Sequence, residues 1–358
     1  MNPRIRQAVE QLTAYTPGEQ PQVPGLIKLN TNENPYPPSP AVTAVLRSMA
    51  PESLRLYPDP VCSAVRARVA ALCRCAPEQV FIGNGSDEVL RLCTRAFTQP
   101  GGAVASFAPS YSLYPVLAAA EDVGFQEVPL PDDFSWVVPP ADLAATLFWV
   151  ANPNAPTGVF YPAEVIRDFS ARFAGVVAVD EAYVDFAGGR DCLALARELP
   201  NVLVCRTLSK SYSLAGLRLG FAVGPPELIA ALYKLKDSYN VDRLAQLIAL
   251  AALNDVPWMQ ENARRIVATR ERVTTALQQR GFWVTPSAAN FLFVQPPADT
   301  PADKLFAALR QKNILVRYFP GPRTGRFLRI SIGTAAEMDA LLAALPEIAV
   351  DDSFRQWV

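Results

Sequence analysis

"TLSKSYSLAGLRLG", residues 207–220, follows the apolar run "NVLVC" and places one lysine among hydroxyls where a strand-like segment ends. A lysine there is desolvated, and a desolvated ammonium costs free energy unless something uses it. The same grammar recurs upstream. "QVFIGNG", "GAVASF", "FQEVPL", "ATLFWVANPN" and "GVVAVDEAY" are apolar runs that break into polar turns, and "LRLGFAVG" follows the lysine. Helical patterns such as "VCSAVRARVAALC", "SDEVLRLCTRAF" and "YSLYPVLAAAEDVG" separate them. Strands apolar on both faces and alternating with helices predict an α/β domain, a mostly parallel central sheet covered by helices.

The chain has 358 residues, enough for one large domain and a smaller one. The Pro- and Asn-rich start reads as an irregular N-terminal arm over 1–45. A large domain is expected over 46–265. Strands at "FLFVQ", "ILVRYF" and "FLRISIG" predict a smaller α+β domain over 266–358, against which the arm packs. With 33 basic and 34 acidic residues the net charge is −1, which gives no reason to expect nucleic acid or a membrane surface as partner. The longest apolar helical run, "LAQLIALAAL", is too short to span a bilayer, and "MNPRIRQAVEQL" lacks an apolar signal core; a cytoplasmic protein is expected. The chain contains six cysteines and no histidine. Zinc sites, histidine bases and the usual serine or cysteine triads are therefore not expected, and the metal expectation is none. An enzyme of this composition works through Lys, Tyr, carboxylates or a borrowed cofactor.

Ligands of a parallel sheet bind at the carboxyl ends of its strands. "GNGSDE", "ANPNAPTG", "DEAYVDF" and "TLSK" all fall at such ends. Asp180 and Lys210 are separated by the span of one βα crossover, so they face each other across neighbouring strand ends. A carboxylate and a lysine at one mouth, beside a Gly-Ser helix entry, describe a site for an anionic, ring-bearing cofactor. In "GNGSDEVL" a strand turns directly into a helix, so the N–H groups around Gly85, Ser86 and Asp87 can cradle an anion.

These motifs, in this order, resemble the class I and II pyridoxal-phosphate aminotransferases, from "LTAY" and "NTNENP" to "LRISIGT". Within that family, "PGEQP", "NENPYPPSP", "YPDP", "GNGSDE" and "ILVRYF" together most resemble the histidinol-phosphate branch. The resemblance implies pyridoxal 5'-phosphate as cofactor and a fold-type I architecture. Lys210 is then the lysine that carries the cofactor and shuttles the substrate proton. Asp180 pairs with the pyridine nitrogen. Tyr183 donates to the ring oxygen O3′, and Tyr111 stacks on the ring. Thr207, Ser209 and Arg218 join Gly85, Ser86 and Asp87 around the phosphate.

By the same resemblance Tyr57 reaches the phosphate of a second subunit, which implies a homodimer with shared sites. Tyr15, Asn32, Arg317 and Arg329 fall to the substrate, with Arg329 as the carboxylate arginine and Arg317 as a second anion site. Arg317 read without the family is a solvated strand charge. One departure stands out: the family's usual asparagine is Ala155 here, and Asn154 replaces it if the turn aims its amide inward. The activity implied is reversible transamination between L-histidinol phosphate and 2-oxoglutarate, in histidine biosynthesis. Broad aromatic transamination and decarboxylation of a phosphorylated amino acid remain open alternatives at this point.

Overall fold

The computed structural model describes residues 4–345; positions 1–3 of the expected arm and 346–358 of the expected smaller domain lie outside the described residues. Seven strands form the large sheet: β1 (Val80–Gly83), β2 (Ala103–Ala108), β3 (Gly124–Pro129), β4 (Leu147–Ala151), β5 (Val176–Asp180), β6 (Val202–Thr207) and β7 (Gly220–Val223). Their spatial order is β1-β7-β6-β5-β4-β2-β3. Only β7 runs against its neighbours; the pairings from β6 through β3 are all parallel.

Both faces of this sheet are covered, which explains why its strands read as unbroken apolar runs. Along β5, Val177 and Val179 point into one core cluster and Ala178 into the other. β6 divides likewise, Val202 and Val204 against Leu203 and Cys205. Helices Ser63–Cys73, Ala163–Ser170 and Arg243–Asn254 pack on the first face, and Gly85–Phe97 with Pro226–Leu235 on the second. The result for function is a common edge. Ala151 is level with Asp180, Asp180 with Cys205, and Thr207 with Gly220, so β4, β5 and β6 release their polar turns side by side.

The smaller unit is an antiparallel four-stranded sheet ordered Arg317–Tyr318, Leu328–Ser331, Phe291–Gln295, Trp283–Val284. Helices Ala302–Gln311 and Ala335–Ala344 pack with it, and so does Val256–Gln278, which runs unbroken through positions 265 and 266. Two expectations change here. "ILVRYF" is not one strand: Ile314–Leu315 pairs in parallel with Ile27–Lys28, whereas Arg317–Tyr318 joins the four-stranded sheet. The arm, expected to be irregular, contains that short strand and the helix Pro40–Ser48. Its Leu29 is fully buried in the core of the smaller unit. Long-range pairing ordered a segment whose composition favours turns.

Candidate active site

The sheet edge opens into two adjoining cavities. The inner one, about 150 Å³, is lined by Ser86, Asp87, Tyr111, Asp180, Tyr183, Thr207, Ser209, Lys210 and Arg218 among others. The outer one, about 800 Å³, shares Asp87, Tyr111, Tyr183, Lys210 and Arg218 and adds Tyr15, Asn32, Arg317 and Arg329. Lys210 stands where they meet.

Lys210 follows β6 by three positions, and its Nζ donates to the Thr31 carbonyl at 3.2 Å. Asn34 Nδ2 donates to the Lys210 and Ser211 carbonyls at 3.1 Å, so the arm clasps the lysine from above. Burial, reinforced by the Arg329 charge, brings the Lys210 ammonium down to about 8; Glu33 and Asp87 oppose the shift. A population of neutral amine is therefore accessible near neutral pH, as a proton-transferring lysine requires.

Asp180 is the last residue of β5 and is buried. Its Oδ2 accepts from the Tyr114 hydroxyl at 3.0 Å and its Oδ1 from the Ala182 N–H at 3.2 Å. Burial nonetheless pushes this carboxyl up to about 6. No arginine or lysine forms an ion pair with it among the described residues. A buried carboxylate held this way is suited to a cationic ligand atom. Tyr114 was not singled out by the sequence reading. It is fully buried, stacks on Trp149 at 5.4 Å and meets Tyr111 edge-on at 5.6 Å. The signal was present as a second tyrosine three residues after Tyr111 in "SYSLYP", at the start of the helix Tyr114–Ala120. Burial and the neighbouring Asp180 raise its phenol well above the ordinary value, so it remains a proton donor.

The anion cradle forms where β1 passes into helix Gly85–Phe97. Gly85 has φ +80°, and a Cβ on it would lie 2.6 Å from the Arg218 guanidinium; a side chain here would collide with the cation. A Cβ on Gly220 would meet the Ser86 backbone N at 2.5 Å. Arg218 reaches Asp87 at 3.1 Å and Ser209 Oγ at 3.4 Å, and Thr207 Oγ1 donates to Ser209 Oγ at 2.9 Å. Helix-end N–H groups, a hydroxyl and a guanidinium thus converge on one end of the inner cavity. The donor set fits a phosphate there, and Asp180, Tyr183 and Tyr111 fit a protonated pyridine ring beside it.

The outer cavity carries the feature that sequence spacing did not disclose. Arg317 and Arg329 are cross-strand partners in the antiparallel register. Like charges directly opposite are unfavourable unless an anion joins them. Arg329 Nη2 donates to the Asn30 carbonyl at 2.9 Å, while its buried Nε has no partner. Burial lowers its basicity from the ordinary guanidinium value. Arg317 donates to the carbonyls of Thr16 and Pro17, tying it to the arm. Tyr15 packs edge-on against Tyr111 at 6.1 Å. Asn32 lines this cavity, but its amide is directed at the Tyr183 hydroxyl, 3.0 Å away.

Three sequence-derived residues line neither cavity: Gly85, which serves through the backbone turn of the cradle, Asn154 and Tyr57. Asn154 is buried and its amide is spent locally: it donates to the Pro109 carbonyl and Thr157 Oγ1 and accepts from Ser110 Oγ. The reading of Asn154 as a stand-in for the missing asparagine is corrected on that ground. The wall at that place is the methyl group of Ala155. Tyr57 is 76% exposed, stacks on Tyr239 at 4.4 Å and lines neither cavity of its own chain.

A mostly parallel sheet with a half-buried lysine, a buried carboxylate and an anion cradle at its carboxyl edge defines a cofactor-dependent α/β enzyme. The sequence pattern of the family "Aminotransferase class I and II" matches residues 24–345, and the chain belongs to that family. Among its relatives, histidinol-phosphate aminotransferase 1 of Burkholderia pseudomallei is 48% identical over 349 residues, 95% of this chain and 97% of that one. The histidinol-phosphate aminotransferase of Citrifermentans bemidjiense is 45% identical over 345 residues, covering 96% of this chain and 98% of its own length. The crystal structure of the Sinorhizobium meliloti histidinol-phosphate aminotransferase in complex with pyridoxal-5'-phosphate superposes with a TM-score of 0.86. It is 27% identical and covers 97% of this chain and 98% of its own.

Proposed function

We propose that the protein is a histidinol-phosphate aminotransferase, interconverting L-histidinol phosphate and 2-oxoglutarate with imidazole acetol phosphate and glutamate in histidine biosynthesis. The observation that carries this reading is a pair of adjoining cavities that share Lys210 in their lining. The inner cavity holds the anion cradle of Ser86, Ser209 and Arg218, and the outer one holds the cross-strand arginine pair.

Pyridoxal 5'-phosphate, when bound, supplies an electron-withdrawing ring that no side chain provides. The helix end at Gly85–Asp87, with Ser209, Thr207 and Arg218, holds the phosphate. Asp180 accepts from the protonated ring nitrogen and is itself oriented by Tyr114. Tyr183 would donate to the ring oxygen, and Tyr111 would pack against the ring. Lys210 Nζ in its neutral form takes the proton from the substrate α-carbon. Arg329 takes the carboxylate of an amino-acid donor and Arg317 is the second anion site; together they form a cationic cluster that accepts the phosphate of histidinol phosphate or the two carboxylates of glutamate. Tyr15 closes the outer side and limits water.

We further read the chain as arm, large domain and smaller domain with bounds near 45 and 265. It is read as a cytoplasmic homodimer in which Tyr57 serves the neighbouring site. Six free cysteines agree with a reducing compartment. The exposed Tyr57–Tyr239 stack, beside exposed Leu54 and Leu56, agrees with a covered face. Mixing Lys210→Ala and Tyr57→Phe homodimers regenerates activity if each site draws on two chains. The main test supplies the cofactor, histidinol phosphate and 2-oxoglutarate, and follows glutamate. Borohydride reduction is expected to fix the cofactor on Lys210. Equal efficiency on histidinol and histidinol phosphate, or a preference for phenylalanine over both, would overturn the substrate reading.

A further inference from the structure

Asn32 lies in the arm with φ 56°, a left-handed conformation uncommon outside glycine, and it is 1% exposed. Every polar group of this residue is engaged. Its backbone N–H donates to Ser331 Oγ at 2.8 Å, and its carbonyl accepts from Asn290 Nδ2 at 2.9 Å. Ser331, on the smaller sheet, is equally buried. Because Ser331 Oγ accepts from that N–H, its own hydrogen is available for Asn32 Oδ1, 2.9 Å away. The side-chain oxygen of Asn32 is thereby identified, and its Nδ2 is the atom facing Tyr183 OH at 3.0 Å. A phenol that accepts from an amide keeps its own hydrogen for another direction. Tyr183 lines both cavities, so that direction is the cofactor space.

We propose that Asn32 and Ser331 are positioning residues that aim the Tyr183 hydroxyl hydrogen at the bound cofactor. This rests on the pyridoxal-phosphate reading of the site. The opposite wall offers no substitute, since Ala155 has no donor and Asn154 is turned away. The charged groups acting on Tyr183 are Arg329, Asp180 and Asp87, with the Lys210 ammonium 5.8 Å over its ring. None of them replaces the directional amide. One consequence is that a residue of the arm and one of the smaller sheet set a bond in the large sheet's site, so cofactor electronics depend on the arm being seated.

The test is the pH midpoint of the visible absorption band of the cofactor-loaded protein. A donor to an anionic oxygen favours its deprotonated form, so losing Tyr183's donation in Tyr183→Phe raises the midpoint by about 1–2 pH units. Asn32→Asp keeps the shape but turns the partner into an acceptor, drawing the phenol hydrogen away. It is expected to raise the midpoint by a similar amount, and Asn32→Asp/Tyr183→Phe is expected to move it no further than Tyr183→Phe alone. Should Asn32→Asp fail to fold, Ser331→Ala is expected to give a smaller shift in the same direction, and Ser331→Thr to restore the wild-type midpoint. An unshifted midpoint in Asn32→Asp and Ser331→Ala, or additive shifts in the double variant, overturns the proposal. A wild-type protein that shows no such band overturns the cofactor reading beneath it instead.

Discussion

The inner and outer cavities share Lys210 but are built in opposite ways. Most of the inner cavity comes from polar turns between Ser86 and Arg218, delivered by strands of one sheet whose registers are locked by a core on each face. The outer cavity is assembled from the arm at Tyr15 and Asn32, from Tyr111, and from Arg317 and Arg329 of the smaller unit. A site for one permanent group profits from strand ends that cannot move independently. A site for two different amine partners profits from separate pieces that can adjust. The arginine pair fits this role, since its charges are placed opposite each other by pairing and gain when an anion of either kind arrives.

The largest effect is expected at Lys210, a residue that both cavities share. If that residue alone moves the substrate proton, Lys210→Ala lowers single-turnover rates by about 10⁴-fold or more while the cofactor still binds non-covalently. Loss of cofactor binding with the residual rate preserved would place the proton transfer elsewhere.

Asp180→Asn comes next and has two readouts. The rate is expected to fall by about 10²–10⁴-fold, because an amide cannot pair with a protonated ring nitrogen. The cofactor-free variant is expected to be more stable than wild type at pH 7. The folded Asp180 sits near 6 against an ordinary 3.8, so burying its charge costs up to about 3 kcal/mol, fully felt above pH 6. Below that the folded state binds the proton more tightly than the unfolded chain. The cofactor-free wild type should therefore recover that stability as pH falls from 6 towards 3.8, and Asp180→Asn should lack the recovery. Thermal unfolding against pH measures both.

Outer-cavity variants should act on selectivity more than on chemistry. Arg317→Ala is expected to weaken histidinol phosphate by about ten- to a hundredfold in kcat/KM, with phenylalanine much less affected. Arg329→Ala should damage every donor, because its guanidinium is buried at the cavity wall. Equal losses for the two arginines across all substrates would erase the distinction between an adaptable and a general anion site.

The smallest effect is expected from Tyr114→Phe. The phenol's hydrogen bond lowers the Asp180 pKa against the larger effect of burial. Removing it should raise the carboxyl above about 6 and reduce kcat several-fold at neutral pH, more at lower pH, where a larger fraction is protonated. Carbon-13 labelling of the aspartates would follow that titration directly; an unmoved Asp180 would make Tyr114 only a packing residue.

Much of the inner cavity was legible because its determinants are local. Apolar runs of strand length, Gly-Ser turns at their ends and one crossover between Asp180 and Lys210 already place lysine, carboxylate and anion cradle at one sheet edge. Tyr114 was missed because a buried tyrosine reads as core until its hydroxyl is seen facing Asp180. Asn154 was misread because a turn's sequence does not say which way an amide points, and here Pro109, Ser110 and Thr157 claim it.

The sequence by itself determined the sheet, the order of its strands along the chain and the chemistry held at their ends, since hydrophobic periodicity and turn preference act over a few residues. Only the tertiary structure decided that Arg317 faces Arg329 and that "ILVRYF" divides between two sheets. It alone joined Asn32 to Ser331 across 299 positions to orient Tyr183. Such contacts depend on how packed units meet, and no short-range preference of either partner specifies that meeting.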